Sequence, residues 1–255
     1  MDMRDKITVL HFSPTGGTRR AALLLARQIA SQVEEIDLTL SQPQRKAFTP
    51  QDVVLVAGPV YGGRLPGLMV ERLRHYTGGG ACAVSAVVYG GRAYEDALVE
   101  LDDLLEVQGF CVIAGTALLA EHSIAHTLEV GRPDAQDAAQ LAEFGGRIAQ
   151  KLEKGDMDAP QVPGNRPYRE WAGMPVAPMA SDICVECGEC AKVCPAQAIP
   201  CENPSQTDKA RCIACMRCVA VCPVKARALP VQVRDMLAQK LAPFMERRPE
   251  NELYL

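Results

Sequence analysis

The sequence predicts an α/β protein in which a doubly wound parallel sheet is followed by a small cysteine-rich domain. Five apolar, strand-like runs alternate with helical segments over the first 154 residues. Proline and glycine then accumulate over residues 155–181, which we interpret as a semi-rigid linker. Nine of the eleven cysteines lie after residue 160, so the second part of the chain has a chemistry of its own.

Each predicted strand is a short apolar run, as expected for a sheet covered by helices on both faces. The five strands are expected at residues 6–12, 33–39, 52–60, 81–89 and 110–118. The apolar spacing and Pro66, which suits a first helical turn, predict helices at 18–31, 67–76, 94–108 and 133–153. A further helix is expected at 231–244, and the tail ERRPENELYL is expected to be polar and loosely held.

Composition excludes several classes of function. The formal net charge of −4 gives no support for a nucleic-acid partner. No apolar run reaches transmembrane length, and the segment MDMRDKITVLHF lacks the pattern of a secretion signal. We therefore expect a cytoplasmic protein with no membrane span. In that compartment a dense set of cysteines indicates bound metal rather than disulfides.

The cysteines form an internal repeat with a period of 28 residues. CVECGECAKVCPAQAI begins at residue 184 and CIACMRCVAVCPVKAR at residue 212, and both read C-x2-C-x2-C-x3-C-P. Three thiolates at this spacing can wrap one corner of an iron–sulfur cube. Zinc is a weaker alternative, because zinc sites usually pair two short CxxC hooks across a longer loop.

This segment resembles bacterial two-[4Fe–4S] ferredoxin domains, which are small α+β domains. In that arrangement the fourth cysteine of each run binds the cluster of the other run. The resemblance implies two [4Fe–4S] clusters and one-electron transfer. The first cluster would be held by Cys184, Cys187, Cys190 and Cys222, and the second by Cys212, Cys215, Cys218 and Cys194.

The loop FSPTGGT lies between the first predicted strand and the first predicted helix. Its hydroxyl groups and glycine amides, together with the helix dipole, suit a phosphate group. No G-K-[ST] follows it and no G-x-G-x-x-G occurs in the chain, so it is neither a Walker loop nor a dinucleotide fingerprint. The alternative is a turn that needs its glycines only for geometry. The candidate residues are Ser13, Pro14, Thr15, Gly16, Gly17 and Thr18.

The same loop matches the S/T-x-T-G-x-T phosphate loop of flavodoxins, and the resemblance covers residues 6 to about 154. It implies bound FMN and a five-stranded sheet in the order 2-1-3-4-5, in which the loops GPVYGGRLPG and YGGRAYED flank the switch point. By this resemblance Tyr61 stacks on the flavin ring, although the tyrosines could also be surface packing. The residues assigned to the ring are Pro59, Val60, Tyr61, Gly62, Gly63, Tyr89, Gly90, Gly91, Arg92 and Tyr94.

Taken whole, the chain resembles flavodoxin–ferredoxin fusions, which are cytosolic electron-transfer proteins of anaerobes. The expected domains are an FMN-binding domain at 1–154, a linker at 155–181, a ferredoxin domain at 182–229, and a helix and tail at 230–255. Other redox proteins would be electron donor and acceptor. Two alternatives stay open. The chain could be a flavin-dependent reductase, which needs a substrate cavity over the flavin, or a redox sensor or scaffold without FMN.

Overall fold

The computed structural model describes residues 4–39 and 45–255. The strands in these ranges are β1 Arg4–His11, β2 Ala30–Asp37, β3 Lys46–Ala47, β4 Val53–Pro59, β5 Tyr76–Thr77, β6 Cys82–Tyr89, β7 Cys111–Leu119, β8 Met179–Ala180, β9 Arg227–Ala228 and β10 Glu252–Tyr254. The helices are α1 Gly17–Ile29, α2 Gly67–Leu73, α3 Ala97–Val107, α4 Ala135–Glu153, α5 Glu189–Lys192, α6 Arg217–Ala220 and α7 Val231–Leu241.

The main sheet has the strand order β10-β7-β6-β4-β1-β2, and every pairing except that of β10 is parallel. Apolar side chains of the sheet pack against α1 and α4 on one face and against α2 and α3 on the other. The predicted α/β architecture with a largely parallel sheet is therefore confirmed. The carboxyl ends of β1, β4, β6 and β7 meet at one edge, where ligands of such sheets bind.

The sheet has six strands rather than the predicted five, because the tail that we expected to be loosely held supplies β10. This strand pairs antiparallel with β7. The preceding residue, Asn251, is buried and accepts a 2.8 Å hydrogen bond from the Leu119 amide. Its side-chain amide also donates to Asp137 at 2.9 Å and to Gln140 at 2.7 Å. These bonds fix the tail to both the sheet and α4.

From residues 155–255, only β10 joins the six-stranded sheet. In the cysteine-rich segment, β8 and β9 form a short antiparallel pair that brings the two ends of this segment together. The linker before it is tied to the sheet, since Arg64 donates to Glu100 at 2.7 Å and to the Arg169 carbonyl at 2.7 Å. Among the helices in the described ranges, none has the length and apolarity needed to cross a bilayer.

We expect Asn251→Ala to lower the free energy of unfolding of the α/β part by about 2 kcal/mol, because buried groups on β7 and α4 lose their partner. Urea denaturation followed by circular dichroism measures this change. Glu246→Ala, an exposed substitution in the same tail, is the control and should leave the unfolding midpoint unchanged. Equal stability of the two variants would contradict a structural role for the β10 anchor.

Candidate functional site

The FSPTGGT loop connects β1 to α1 at the carboxyl edge of the sheet. Gly16 has a positive φ of 93°, which allows the chain to turn sharply into the helix. In the described part of the chain, the amides from Thr15 to Thr18 donate to no protein acceptor. Thr18 is buried while Thr15 is exposed. Free amides and two hydroxyl groups at a helix start form a suitable donor set for a phosphate group.

A cavity opens beside this loop and is lined by the ends of three strands. Eleven of the sixteen predicted FMN residues line it or the larger cleft next to it. Those eleven are Pro14, Thr15, Gly17, Thr18, Pro59, Val60, Tyr61, Gly62, Tyr89, Gly90 and Arg92. The fold thus brings together the three loops that the sequence singled out separately.

The other five predicted residues have different neighbours. Ser13 accepts the Arg19 amide at 2.9 Å and so supports the first turn of α1, and Gly16 provides the turn itself. A side chain at Gly63 would overlap Glu95, and one at Gly91 would overlap Glu129. The five residues outside both linings are Ser13, Gly16, Gly63, Gly91 and Tyr94.

Tyr94 and Arg92 are occupied by partners within the protein. The Tyr94 hydroxyl lies 2.7 Å from the Glu252 carboxylate and 2.8 Å from the Tyr254 hydroxyl, so it binds the tail that carries β10. Arg92 faces Glu95 with two contacts of 3.0 Å. Glu95 therefore offsets the charge of Arg92, and it also pairs with Arg169.

His122 is a further site residue. It lies in the segment AEHSIAHT after the fifth predicted strand, where a histidine could approach a cofactor but has no distinctive pattern. Its imidazole covers Gly90 and lines both the loop cavity and the cleft. Its Nδ1 accepts from the amides of Ile124 at 3.2 Å and Ala125 at 3.0 Å, which places the proton of the neutral ring on Nε2. Burial lowers the pKa of His122 to about 4, so the ring is neutral at pH 7.

The larger cleft adjoins the loop cavity through Val60, Tyr61, His122 and Ser123. Its volume is about 900 Å³. Its walls come from the β4–α2 connection, the linker, the second cysteine run and α7. Trp171 of the linker lies directly against Gly62 and so packs the linker onto the α/β part. The same side chain also forms part of the cleft wall.

The cysteines of the two runs line two separate cavities, and each cavity takes three cysteines from one run and one from the other. We call them the outer set and the inner set. The outer set consists of Cys184, Cys187, Cys190 and Cys222. The inner set consists of Cys194, Cys212, Cys215 and Cys218. These are the two groups that the sequence resemblance implies.

The backbone of the two runs repeats with the 28-residue period of the sequence. The short helices α5 and α6 both follow a left-handed residue, Gly188 in the first run and Met216 in the second. In each run an amide donates to the sulfur of the exchanged cysteine, from Ala198 to Cys194 at 3.3 Å and from Ala226 to Cys222 at 3.2 Å. Amide hydrogen bonds to sulfur are a typical feature around iron–sulfur clusters.

Each cavity also contains one guanidinium group. Arg227 is buried beside the outer set and donates to the Cys190 sulfur at 3.2 Å. Arg217 lines the inner cavity, and its Nε is buried without a protein acceptor in the described part of the chain. Four thiolates and a nearby cation suit an anionic cluster, since the cation offsets the charge that burial disfavours.

The inner set lies against the α/β part of the molecule. Arg217 donates to the Pro14 carbonyl of the FSPTGGT loop at 3.3 Å. Arg72 of α2 is buried and donates to the Pro195 carbonyl at 2.6 Å, next to Cys194. Burial, with a smaller effect from the nearby Cys215 thiol, raises the pKa of Tyr61 well above its usual value. Tyr61 lines the loop cavity and the cleft, and the cleft is also lined by Cys212 of the inner set.

The outer set is the more exposed of the two cysteine sets. Its cavity is lined only by residues of the cysteine-rich segment, and Cys187 is exposed. Four exposed aliphatic side chains lie close to its cysteines in sequence, namely Ile183, Val185, Val221 and Val224. Cys201, the spare cysteine between the runs, is exposed and lines neither cavity.

Burial also affects the inner cysteines as free thiols. It raises the pKa of Cys215 to about 12 and that of Cys218 to about 11. These thiols are therefore protonated at neutral pH unless a metal stabilises the thiolate form.

Comparison with known proteins supports the iron–sulfur prediction. Residues 182–227 match the family model of the 4Fe–4S dicluster domain. This part of the chain is thus an iron–sulfur segment of the 4Fe–4S type. Among curated proteins, none is significantly similar to the chain.

Several solved structures are similar to the first part of the chain. An archaeal flavodoxin is 17% identical with a TM-score of 0.41, covering 58% of this chain and 99% of its own. The flavodoxin of Streptococcus pneumoniae TIGR4 is 18% identical with a TM-score of 0.40, covering 57% and 99%. The rubredoxin:oxygen oxidoreductase of Desulfovibrio gigas is 15% identical with a TM-score of 0.42, covering 60% of this chain but only 37% of its own.

Arg72 provides a test of the contact between the two halves of the molecule. It donates to the carbonyls of Leu38 at 2.8 Å, Thr39 at 2.7 Å and Pro195 at 2.6 Å. We expect Arg72→Met to speed amide hydrogen exchange in the segment around Pro195, as measured by mass spectrometry, because these charge-assisted bonds are lost. Arg74→Met, an exposed change at the end of the same helix, is the control. Unchanged exchange in Arg72→Met would exclude this role.

Proposed function

We propose that the chain is an electron-transfer protein that holds two [4Fe–4S] clusters and one FMN. When bound, the clusters supply one-electron chemistry and the flavin accepts or donates up to two electrons. The outer and inner cysteine sets would each hold one cluster, and the FSPTGGT loop would hold the flavin phosphate. Residues 1–154, 155–181, 182–229 and 230–255 are the proposed units, with the β10 segment of the last unit added to the sheet of the first.

One observation carries this proposal: the inner cysteine set and the phosphate loop lie side by side. Arg217 joins the inner cavity to Pro14, and Arg72 joins α2 to the Pro195 carbonyl beside Cys194. A protein that carried its two kinds of cofactor for unrelated purposes would have no need of this contact. The arrangement supports exchange of electrons inside the protein, with the inner set nearer to the flavin.

The outer set is the proposed exchange point with other redox proteins of the cytoplasm. Its exposed cysteine and the surrounding exposed aliphatic side chains leave it accessible from solvent. Apolar patches of this kind mark surfaces that contact other proteins. The donor and acceptor would therefore bind beside Cys187 and these exposed side chains.

Cofactor content is the direct test of this function. The chain is purified without oxygen and denatured, and the released flavin, iron and sulfide are quantified. About one FMN and about eight each of iron and sulfide per chain support the proposal. Iron and sulfide without flavin would contradict it and would favour the sensor or scaffold alternative.

Removing the two hydroxyl groups of the phosphate loop tests the FMN assignment. We expect Thr15→Ala combined with Thr18→Ala to weaken FMN binding about a hundredfold, since two hydrogen bonds to a charged group are lost, while iron content stays the same. Fluorescence titration of the flavin-free protein measures the affinity. Thr77→Ala and Thr127→Ala, two exposed threonines elsewhere, form the control. Unchanged affinity in the loop variant would refute the phosphate assignment.

Pairs of cysteine substitutions test how the two sets are divided. Within one set, Cys194→Ser combined with Cys212→Ser should leave about four iron atoms per chain, because both changes damage the same cluster. Across the sets, Cys194→Ser combined with Cys184→Ser should leave almost none. Iron analysis of proteins reconstituted in parallel separates the two cases. If the Cys194, Cys212 variant lost almost all iron and the Cys194, Cys184 variant kept about four atoms, Cys194 would be a ligand of the same cluster as the first run.

The cleft favours a second candidate function, that of a flavin-dependent reductase. Such an enzyme needs a substrate cavity next to the flavin, and the cleft of about 900 Å³ shares Tyr61 and His122 with the loop cavity. This volume lies at the upper end of small-molecule sites. Turnover of a defined small acceptor by the intact protein would distinguish the reductase from a simple carrier.

A further inference from the structure

The cleft between the α/β part and the cysteine-rich segment carries an excess of positive charge. Its lining includes seven cationic side chains but only two carboxylates, Glu71 and Glu100. The cationic residues are Arg64, Arg74, Arg92, Arg169, Lys209, Arg211 and Lys240. They come from different parts of the chain, so the charge is a property of the assembled cleft rather than of one basic run.

Three of the seven cations have partners within the protein. Arg64 forms an ion pair with Glu100 at 2.7 Å. Arg92 and Arg169 both pair with Glu95, which lies beside the cleft. These arginines fix the linker and the neighbouring loop, and two carboxylates offset most of their charge.

The other four cations have no carboxylate within ion-pair distance in the ranges that the structure describes. Arg74 ends α2, Lys209 and Arg211 precede the second cysteine run, and Lys240 lies on α7. The Arg211 guanidinium donates to the side-chain oxygen of Gln197 at 3.4 Å, which carries no charge. Grouped cations repel one another, and this repulsion is relieved when an anion binds between them.

From these observations we infer that the cleft binds a small organic polyanion, a molecule with two or more phosphate or carboxylate groups. The volume accommodates a molecule of metabolite size beside a flavin ring. Trp171 and Tyr61 supply an aromatic surface for the uncharged part of the ligand. The unpaired cations from three segments would hold its anionic groups. This inference deepens the reductase candidate by naming the class of its substrate.

Calorimetry on the intact protein, with inorganic pyrophosphate and citrate as probes and glycerol as a neutral control, tests the inference. We expect the combination of Lys209→Ala and Lys240→Ala to weaken binding of the better probe about tenfold. The matched control is Arg27→Ala combined with Arg234→Ala, which removes the same charge from exposed positions outside the cleft lining. It should change affinity less than about twofold. The stronger probe identifies the preferred anionic group.

Two results would overturn the inference: an equal loss in both double variants, which indicates only long-range charge, or no binding of either probe at millimolar concentration. Flavin content measured on the same samples keeps this test separate from the proposed function. Flavin without anion binding refutes the cleft site and leaves the electron carrier. Probe binding that weakens in the Lys209→Ala, Lys240→Ala variant, in protein that contains no flavin, supports the cleft site and refutes the FMN assignment. Binding that also survives in the Thr15→Ala, Thr18→Ala variant places the anion in the cleft rather than at the phosphate loop.

Discussion

A buried guanidinium group holds the two halves of this molecule together. Arg72 has no carboxylate partner in the described chain and instead donates to three backbone carbonyls, two after β2 and one directly after Cys194. Burial of an arginine in this way is favourable only when its donors are satisfied. The contact therefore requires the cysteine-rich segment to lie in one position on the sheet. The neighbourhood of Tyr61 and Cys215, and the cleft beside them, depend on that position.

The two cysteine runs are nearly equivalent in sequence but not in surroundings. Their backbones follow the same course, with left-handed residues at Gly188 and Met216. Arg217 of the second run and Pro195 beside Cys194 contact the α/β part, while Cys187 of the outer set is exposed. The two runs therefore share one backbone geometry but have different neighbours. Hydrogen bonds to sulfur and solvent exposure tune cluster potentials, so two similar binding motifs can have different potentials here.

Local patterns predicted much of this structure. Runs such as that of β4, Val53–Pro59, are apolar along their whole length and could be assigned from sequence, as could the cysteine spacing. The β10 strand could not, because it has three residues and its partner lies more than a hundred positions away. The roles of His122 and of the cationic side chains in the cleft could not be predicted from sequence either. Their significance comes from contacts between segments that sequence periodicity does not encode.

The pairing of β10 with β7 has a consequence for biosynthesis. In chain order β10 follows both cysteine runs, so ribosomes complete the iron–sulfur segment before they make the last strand of the sheet. The α/β part begins to fold during synthesis, as domains generally do, but its outer edge stays open meanwhile. Closure of this edge by β10 therefore comes only after the whole cysteine-rich segment has been synthesised. Until then β7 presents an unpaired strand edge, and such edges favour aggregation.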